Sequence, residues 1–346
     1  MDILNLTRTP FSRSALGILC VATLLLVGCG SSGGSNGTTN TGVNPGTNNP
    51  DPTPDQDQDP DPNAIDITNL IFTSTSPNCA DYVNSYLSDV LDVTRSLGFD
   101  GSVQLTSDAT SCTIVSNNIP NHDFNDLTAN FANNVAEVGR NFTITRNPQL
   151  AANSSPLAQQ FWDAVMLNGV VLDLLSAGCY NPATGRNVAI GCNVNDPWLL
   201  DPLGPGMTFG VDEHNAHAQR DGSYHYHGNP MAMFDDNPGP NGSPVIGFAS
   251  DGFPIYGSYF LDPNSGFIRK AESGYTLIAG NRPDTVNDPG GVYDGEYVDD
   301  WEFTDAGDLD ECNGMMLNGQ YGYYVTDTYP WILKCHSGTA DQSFRK

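Results

Sequence analysis

Beyond Cys179 this chain never runs far without Gly, Pro, Asn or Asp, and the apolar stretches between them are brief: residues 245–248, 253–256, 275–278 and 321–325. Glycine reaches positive φ, proline fixes φ and removes a donor, and Asn and Asp bond their own backbone two residues on, so each punctuates the chain for its own reason. Long helices are excluded there, and short strands joined by elaborate turns are expected. The first half reads differently. Residues 79–97 carry apolar side chains at Tyr82, Val83, Tyr86, Leu87, Val90, Leu91 and Val93 between Pro77 and Gly98, which predicts an amphipathic helix. Residues 103–105 and 112–115 predict short strands, 129–138 and 156–162 short helices, and 164–175 a buried apolar segment of either type. No repeat of 20–50 residues is visible, which argues against a solenoid or propeller. The fold class expected is α+β and β-rich: short strands with long turn-rich loops. A sandwich-like β core with an N-terminal helix, stapled by disulfides, is one arrangement these elements allow.

The N-terminal end reads as an address. Arg8 and Arg13 precede an apolar run over residues 15–27 that is short for a membrane span, and Leu26-Val27-Gly28-Cys29 closes it. This segment resembles bacterial lipoprotein signals, in which residues 1–28 are removed and the thiol of Cys29 is acylated. Gly30 in place of Asp permits export to the outer membrane of a diderm bacterium. Residues 29–64 then form a Gly/Ser/Asn tether that becomes an Asp/Pro tether, with only Val43 and Ala64 to bury, and are expected to be disordered. The globular domain is expected over residues 65–346, long enough for a sizeable core. The partner expected from this end is a membrane, reached through lipid on Cys29, with the protein anchored to the cell envelope.

Forty Asp and Glu stand against 13 Lys and Arg, a formal net charge of −27. Nucleic acid and anionic lipid are therefore excluded as partners on charge, whereas cations are concentrated. A protein or small-molecule partner is not specified by composition. Apart from Cys20 in the leader and Cys29, six cysteines remain: Cys79, Cys112, Cys179, Cys192, Cys312 and Cys335. An even count in an exported chain points to three disulfides. Sequential pairing is the arrangement expected among the fifteen possible.

Four of the six histidines lie between His214 and His227. On a strand His225 and His227 would share one face, with Cα atoms about 6.5–7 Å apart, while Tyr224 and Tyr226 take the other. His214 and His217 at a spacing of three come together on a helical turn, and Asp221-Gly222 can reverse the chain between the pairs. Neutral imidazole suits Zn or Cu first, then Fe or Ni. The metal ligands expected are His217, His225 and His227, with His214 as fourth ligand or supporting neighbour and His122 with Asp123 as outside candidates. The structural alternative is that these histidines only hydrogen-bond within turns.

The run from Phe209 to Gly228, with Tyr224-His-Tyr-His227 at its centre, closely resembles the signature of the bacterial YHYH proteins. Asn121-His-Asp-Phe124, Asp251-Gly-Phe-Pro-Ile-Tyr-Gly257, Gly307-Asp-Leu-Asp-Glu-Cys-Asn-Gly314 and Tyr321-Gly-Tyr-Tyr-Val-Thr326 resemble family blocks in the same order. Arg220 stands where that signature often shows Pro. The resemblance implies an exported bacterial domain and implies no particular reaction.

Three histidines with an open position would make a Lewis acid, and a nearby carboxylate would take a proton from bound water. The catalytic candidates are Asp221, Glu213 and Asp251, and an enzyme of this kind would be a metal-dependent hydrolase or oxidoreductase. Four ligands would instead indicate metal capture. A structural or adhesive surface module without a stoichiometric metal is the rival of a different class. The H-x-H element is similar to that of cupins and metallo-β-lactamases, but the downstream Glu of the former and the longer histidine run of the latter are absent. Asp294, Glu296, Asp299, Asp300, Asp305, Asp308, Asp310 and Glu311 offer oxygen ligands that suit Ca, or else form a solvated face. Tyr224, Tyr226, Tyr321, Tyr323 and Tyr324 are expected to stack across strands and cover the back of the histidine strand.

Overall fold

The two halves of the apolar pattern in residues 79–97 separate in the structure, a computed structural model that describes residues 62–207 and 209–346. Cys79–Tyr82 form one 3₁₀ turn, capped by the Asn78 side chain, and Asn84–Asp92 form a strand. The expected helix is therefore absent. Valines and tyrosines spaced three and four apart also supply alternate positions, and Ser88, Val90 and Asp92 alternate inward along this strand. What decides between the two periods is the partner. Leu97–Ser107 returns after a turn in which Ser96 has φ 52° and pairs with all nine residues of Asn84–Asp92. Nine ladder positions with cross-strand packing outweigh a weak helical propensity.

These two strands belong to a five-stranded sheet in the order Ile65–Asp66, Asn84–Asp92, Leu97–Ser107, Ser111–Ser116, Arg140–Thr145. The strands expected at 103–105 and 112–115 lie within it. The short helices expected at 129–138 and 156–162 do not form. An eight-stranded sheet runs in the order Ala216–Ala218, Tyr224–Tyr226, Val171–Leu172, Ala164–Met166, Val245–Ala249, Pro254–Tyr256, Gln320–Tyr324, Gly314–Leu317. The ambiguous segment at 164–175 is thus a hairpin. Its turn is Asn168-Gly169, where Gly169 takes φ 83° and a Cβ would lie 2.6 Å from that of Ser116. The fold is β-rich with almost no helix, so its class is shifted from the α+β expected.

One apolar core joins the sheets: Val103, Leu105, Ile114 and Ile144 of the first share a buried cluster with Val165, Val171, Tyr224 and Phe248 of the second. Each such side chain contributes roughly 1.5–3 kcal/mol of burial. Asn118, fully buried, links the sheets through its side chain, donating to the Tyr224 carbonyl at 2.8 Å and accepting from the Val171 amide at 3.3 Å. The three disulfides pair in sequence order, Cys79 with Cys112, Cys179 with Cys192 and Cys312 with Cys335. The leader, Cys29 and the tether up to residue 61 lie outside the described residues.

Candidate metal centre

The histidine hairpin occupies one edge of the eight-stranded sheet. Ala216–Ala218 pairs antiparallel with Tyr224–Tyr226, and the register sets His217 directly opposite His225. Directly opposed residues share a face, and His227 follows two residues after His225 on that same face. The pleat therefore delivers three imidazoles to one side. Opposite Tyr224 and Tyr226 stand Ala218 and Ala216, whose small side chains leave both phenols room on the other face. There the rings meet edge to face at 5.6 Å, fully buried. The connecting turn reverses at Asp221-Gly222 as expected. Gly222 has φ 91°, and a Cβ would lie 2.6 Å from the Ala136 methyl.

The rings of His217, His225 and His227 form a nearly equilateral triangle, with centroids 4.7, 4.9 and 4.8 Å apart and planes inclined by 66–87°. One nitrogen from each lies within 4.8 Å of the others. The backbone fixes two of the rings. His217 Nδ1–H donates to the Phe209 carbonyl at 2.8 Å, and His225 Nδ1–H to the Ser223 carbonyl at 3.2 Å, which leaves both Nε2 lone pairs free. His227 differs. Its Nε2 stands 3.1 Å from His217 Nε2, and its buried Nδ1 has no aligned hydrogen-bond partner. Either His227 Nε2–H donates to His217, which orphans Nδ1 as an acceptor, or two lone pairs face each other with a cation to reconcile them. Burial, then neighbouring histidines, pushes His225 and His227 well below the ordinary histidine range, and burial lowers His217. All three are neutral donors at neutral pH.

His214 does not join the triad. Asn215, at φ 56°, breaks the helical turn expected between His214 and His217. His214 instead stacks on His122, centroids 3.6 Å apart, and its Nδ1–H donates to the Pro230 carbonyl at 2.7 Å. His122 receives the Tyr226 hydroxyl on Nε2 at 2.6 Å and donates through Nδ1 to the Asp123 carbonyl at 2.7 Å. Asp123 itself accepts the Leu91 amide. The four clustered histidines thus divide into a convergent triad and one member of a stacked pair.

None of the three expected carboxylates belongs to the triad group. Asp221 pairs with Arg140 at 3.2 Å and caps the Ser223 amide. Glu213 is largely exposed, 3.6 Å from His214. Asp251 is buried and structural, accepting the Tyr323 hydroxyl at 2.6 Å and the Gly338 amide at 2.9 Å. Asp173, not among those candidates, neighbours His227 through its backbone, while its carboxylate is held elsewhere. Val171–Leu172 runs parallel to the histidine strand, which sets the following Asp173 against Tyr226 and His227. Asp173 accepts from Gln219 at 2.7 Å and pairs with Lys346, whose ammonium lies 4.4 Å over the Trp162 ring. Trp162 in turn lies 6.2 Å from His225. Burial and the charge of Asp173 push the neighbouring Asp163 carboxyl upward. An isolated Asp inside the apolar run Val-Val-Leu-Asp173-Leu-Leu was the available signal; Lys346 gave none.

The acidic C-terminal segment is consumed internally. Asp300 and Asp294 hold the buried Arg282, Asp308 holds Arg269, Asp299 accepts the Trp198 amide, and Asp310 accepts Tyr321 and two backbone amides. No three of these carboxylates converge among the described residues, so the expected calcium site is not formed. Cys179, Cys192 and Asp196 do approach one another, but both sulfurs are spent in a disulfide. Four strands intervene between Tyr321, Tyr323 and Tyr324 and the histidine strand, which they do not cover.

No curated protein and no solved structure matches the chain. The family model described as YHYH protein matches residues 141–338, a span that contains the triad and two disulfides and begins after the Asn121–Phe124 block. The match covers more than half of the sequence, and the chain belongs to the YHYH protein family.

Proposed function

We propose that this protein is an exported, lipid-anchored metalloprotein that holds one transition ion, zinc or copper, on His217, His225 and His227 and keeps a coordination position open for an exogenous ligand. The observation that carries this reading is the convergence of three neutral imidazoles, two with backbone-fixed tautomers, on a point without a fourth His, Cys, Asp or Glu ligand among the described residues. Tetrahedral metal–nitrogen bonds of about 2.0–2.1 Å need ligand nitrogens roughly 3.4 Å apart, so rings whose nitrogens lie within 4.8 Å of one another would close slightly around an ion. Three protein ligands favour chemistry at an open position over capture in a closed site. Asp173, whose carboxylate is fixed by Gln219 and Lys346, then supports His227 through its backbone. The anchor rests on residues 15–29.

The second reading, a metal-free surface module, is favoured by the 3.1 Å approach of His217 and His227, which a single hydrogen bond also explains. Elemental analysis of untagged protein separates the two. The proposal expects about one equivalent of Zn or Cu per chain, lost in a His225→Ala/His227→Ala double variant. Equal metal in both proteins, or none in either, sinks it. Acylation is tested by lipid labelling, which Cys29→Ala should abolish.

A further inference from the structure

The charge balance around the triad constrains what its open position takes. His225 and His227 are 2% and 5% exposed, and only His217 reaches partly to solvent. All three rings donate in their neutral form, so a divalent ion held on them keeps its whole charge in a largely buried place. Burying a charge without a counter-charge is costly. The side chains around the triad have none to spare. No carboxylate joins the triad group among the described residues. The Asp173 carboxylate accepts from the Lys346 ammonium and from Gln219 at 2.7 Å, and the Asp221 carboxylate accepts from Arg140 at 3.2 Å. Asp163, beside Asp173, is held in its protonated form by burial and then by the charge of Asp173.

Two cations stand by the site instead. Lys346 Nζ lies 4.4 Å and Arg140 Cζ 4.9 Å from the centroid of the Trp162 ring, which is itself 6.2 Å from the His225 ring. The Lys346 charge bears on both His225 and His227. Arg140 Nε–H is buried and has no acceptor, whereas buried donors ordinarily find one. The chain as a whole carries −27, yet physiological salt screens that field beyond about 8 Å, so the immediate neighbours decide which ligands the position favours.

We propose that the exogenous ligand of the triad is an oxyanion, a carboxylate or a phosphate group, which supplies the counter-charge that the neighbouring carboxylates have given up to Lys346 and Arg140. This rests on the metal-binding reading above and extends it to the charge and chemistry of the ligand. Lys346 acts by cancelling Asp173, and so keeps the demand for an anion unmet from within.

The test uses the untagged protein loaded with Co²⁺, a coloured stand-in for zinc, in a buffer free of coordinating anions. Metal content is measured first. Acetate, inorganic phosphate and acetamide are then titrated separately while the visible absorption of the bound Co²⁺ is followed; acetamide has the shape of acetate without its charge. The expected result is about one equivalent of metal and a saturable spectral change with acetate, phosphate or both, and none with acetamide. In Lys346→Met the freed Asp173 carboxylate becomes an internal counter-charge, so anion affinity should fall on the order of tenfold with the metal retained. In Lys346→Met/Asp173→Asn that charge is gone, and anion affinity should return to within about threefold of wild type, a recovery that misfolding would not give. Absence of bound metal would bring down the metal-binding reading and this inference with it. Bound metal whose spectrum responds to acetate and phosphate no more than to acetamide, anion affinity unchanged in Lys346→Met, or no recovery in the double variant would overturn the oxyanion proposal and leave the metal-binding reading standing.

Discussion

Acid should destabilise this domain through His122 as the pH falls below the ordinary histidine range. The ring is 2% exposed, stacked on His214 and hydrogen-bonded at both nitrogens in its neutral form. Burial, reinforced by His214, lowers its pKa from 6.5 to about 3. The folded protein therefore keeps the ring neutral while the unfolded chain takes up a proton below the ordinary value. That contribution is fully present above the unfolded pKa and is lost as pH falls toward the folded one. Each unit within the window removes about 1.4 kcal/mol, so His122 alone costs about 2.7 kcal/mol by about pH 4.5 and about 5 kcal/mol across the whole window. A loss of that size is a large fraction of a typical domain's stability of roughly 5–15 kcal/mol. Denaturant unfolding at a series of pH values measures it. The wild-type slope should exceed that of His122→Gln by about 1.4 kcal/mol per pH unit between the two pKa values. Should the variant fail to fold, the ¹³C-labelled His122 ring in the wild type should show no titration while the domain stays folded. A ring that titrates in the ordinary histidine range, or equal slopes in the two proteins, would refute the reasoning.

Three further outcomes follow from the packing. Removing the Cys79–Cys112 bridge, which spans 33 residues, should cost about 4 kcal/mol, and removing Cys179–Cys192, which spans 13, about 3 kcal/mol, read from denaturant midpoints under oxidising conditions. Gly222→Ala forces a methyl against Ala136 at a positive φ and should destabilise by about 1–3 kcal/mol while lowering metal retention, because the turn sets the register of His217 against His225; unchanged stability and metal content would disconnect the turn from the site. Arg282→Met strands the fully buried Asp300 carboxylate, whose guanidinium contact is 2.7 Å, and should lose about 3–5 kcal/mol, with Arg282→Met/Asp300→Leu recovering part of it.

Where a local rule had no competitor, the sequence reading held. Alternation on a strand needs only the period of two, so His225 and His227 could be assigned to one face and the tyrosines to the other before any partner strand was known. Asp221-Gly222 marked its own turn. Residues 79–97 were misjudged because apolar spacing there served two periods at once, and only the nine-residue pairing with Leu97–Ser107 selects the strand. Asn168-Gly169 inside residues 164–175 was the overlooked hairpin signal that would have resolved that segment.

What the amino acids determined by themselves was thus local: turn positions, strand faces, and the presence of six paired cysteines in a β-rich chain. Only the tertiary structure decided which groups meet. Cross-strand register brought His217 to His225, the packing around Asn215 turned His214 onto His122, and parallel pairing with Val171–Leu172 carried Asp173 beside His227. The reason is physical. A side chain's face follows from its own backbone, whereas its neighbours depend on long-range pairings whose energies no short window of sequence contains.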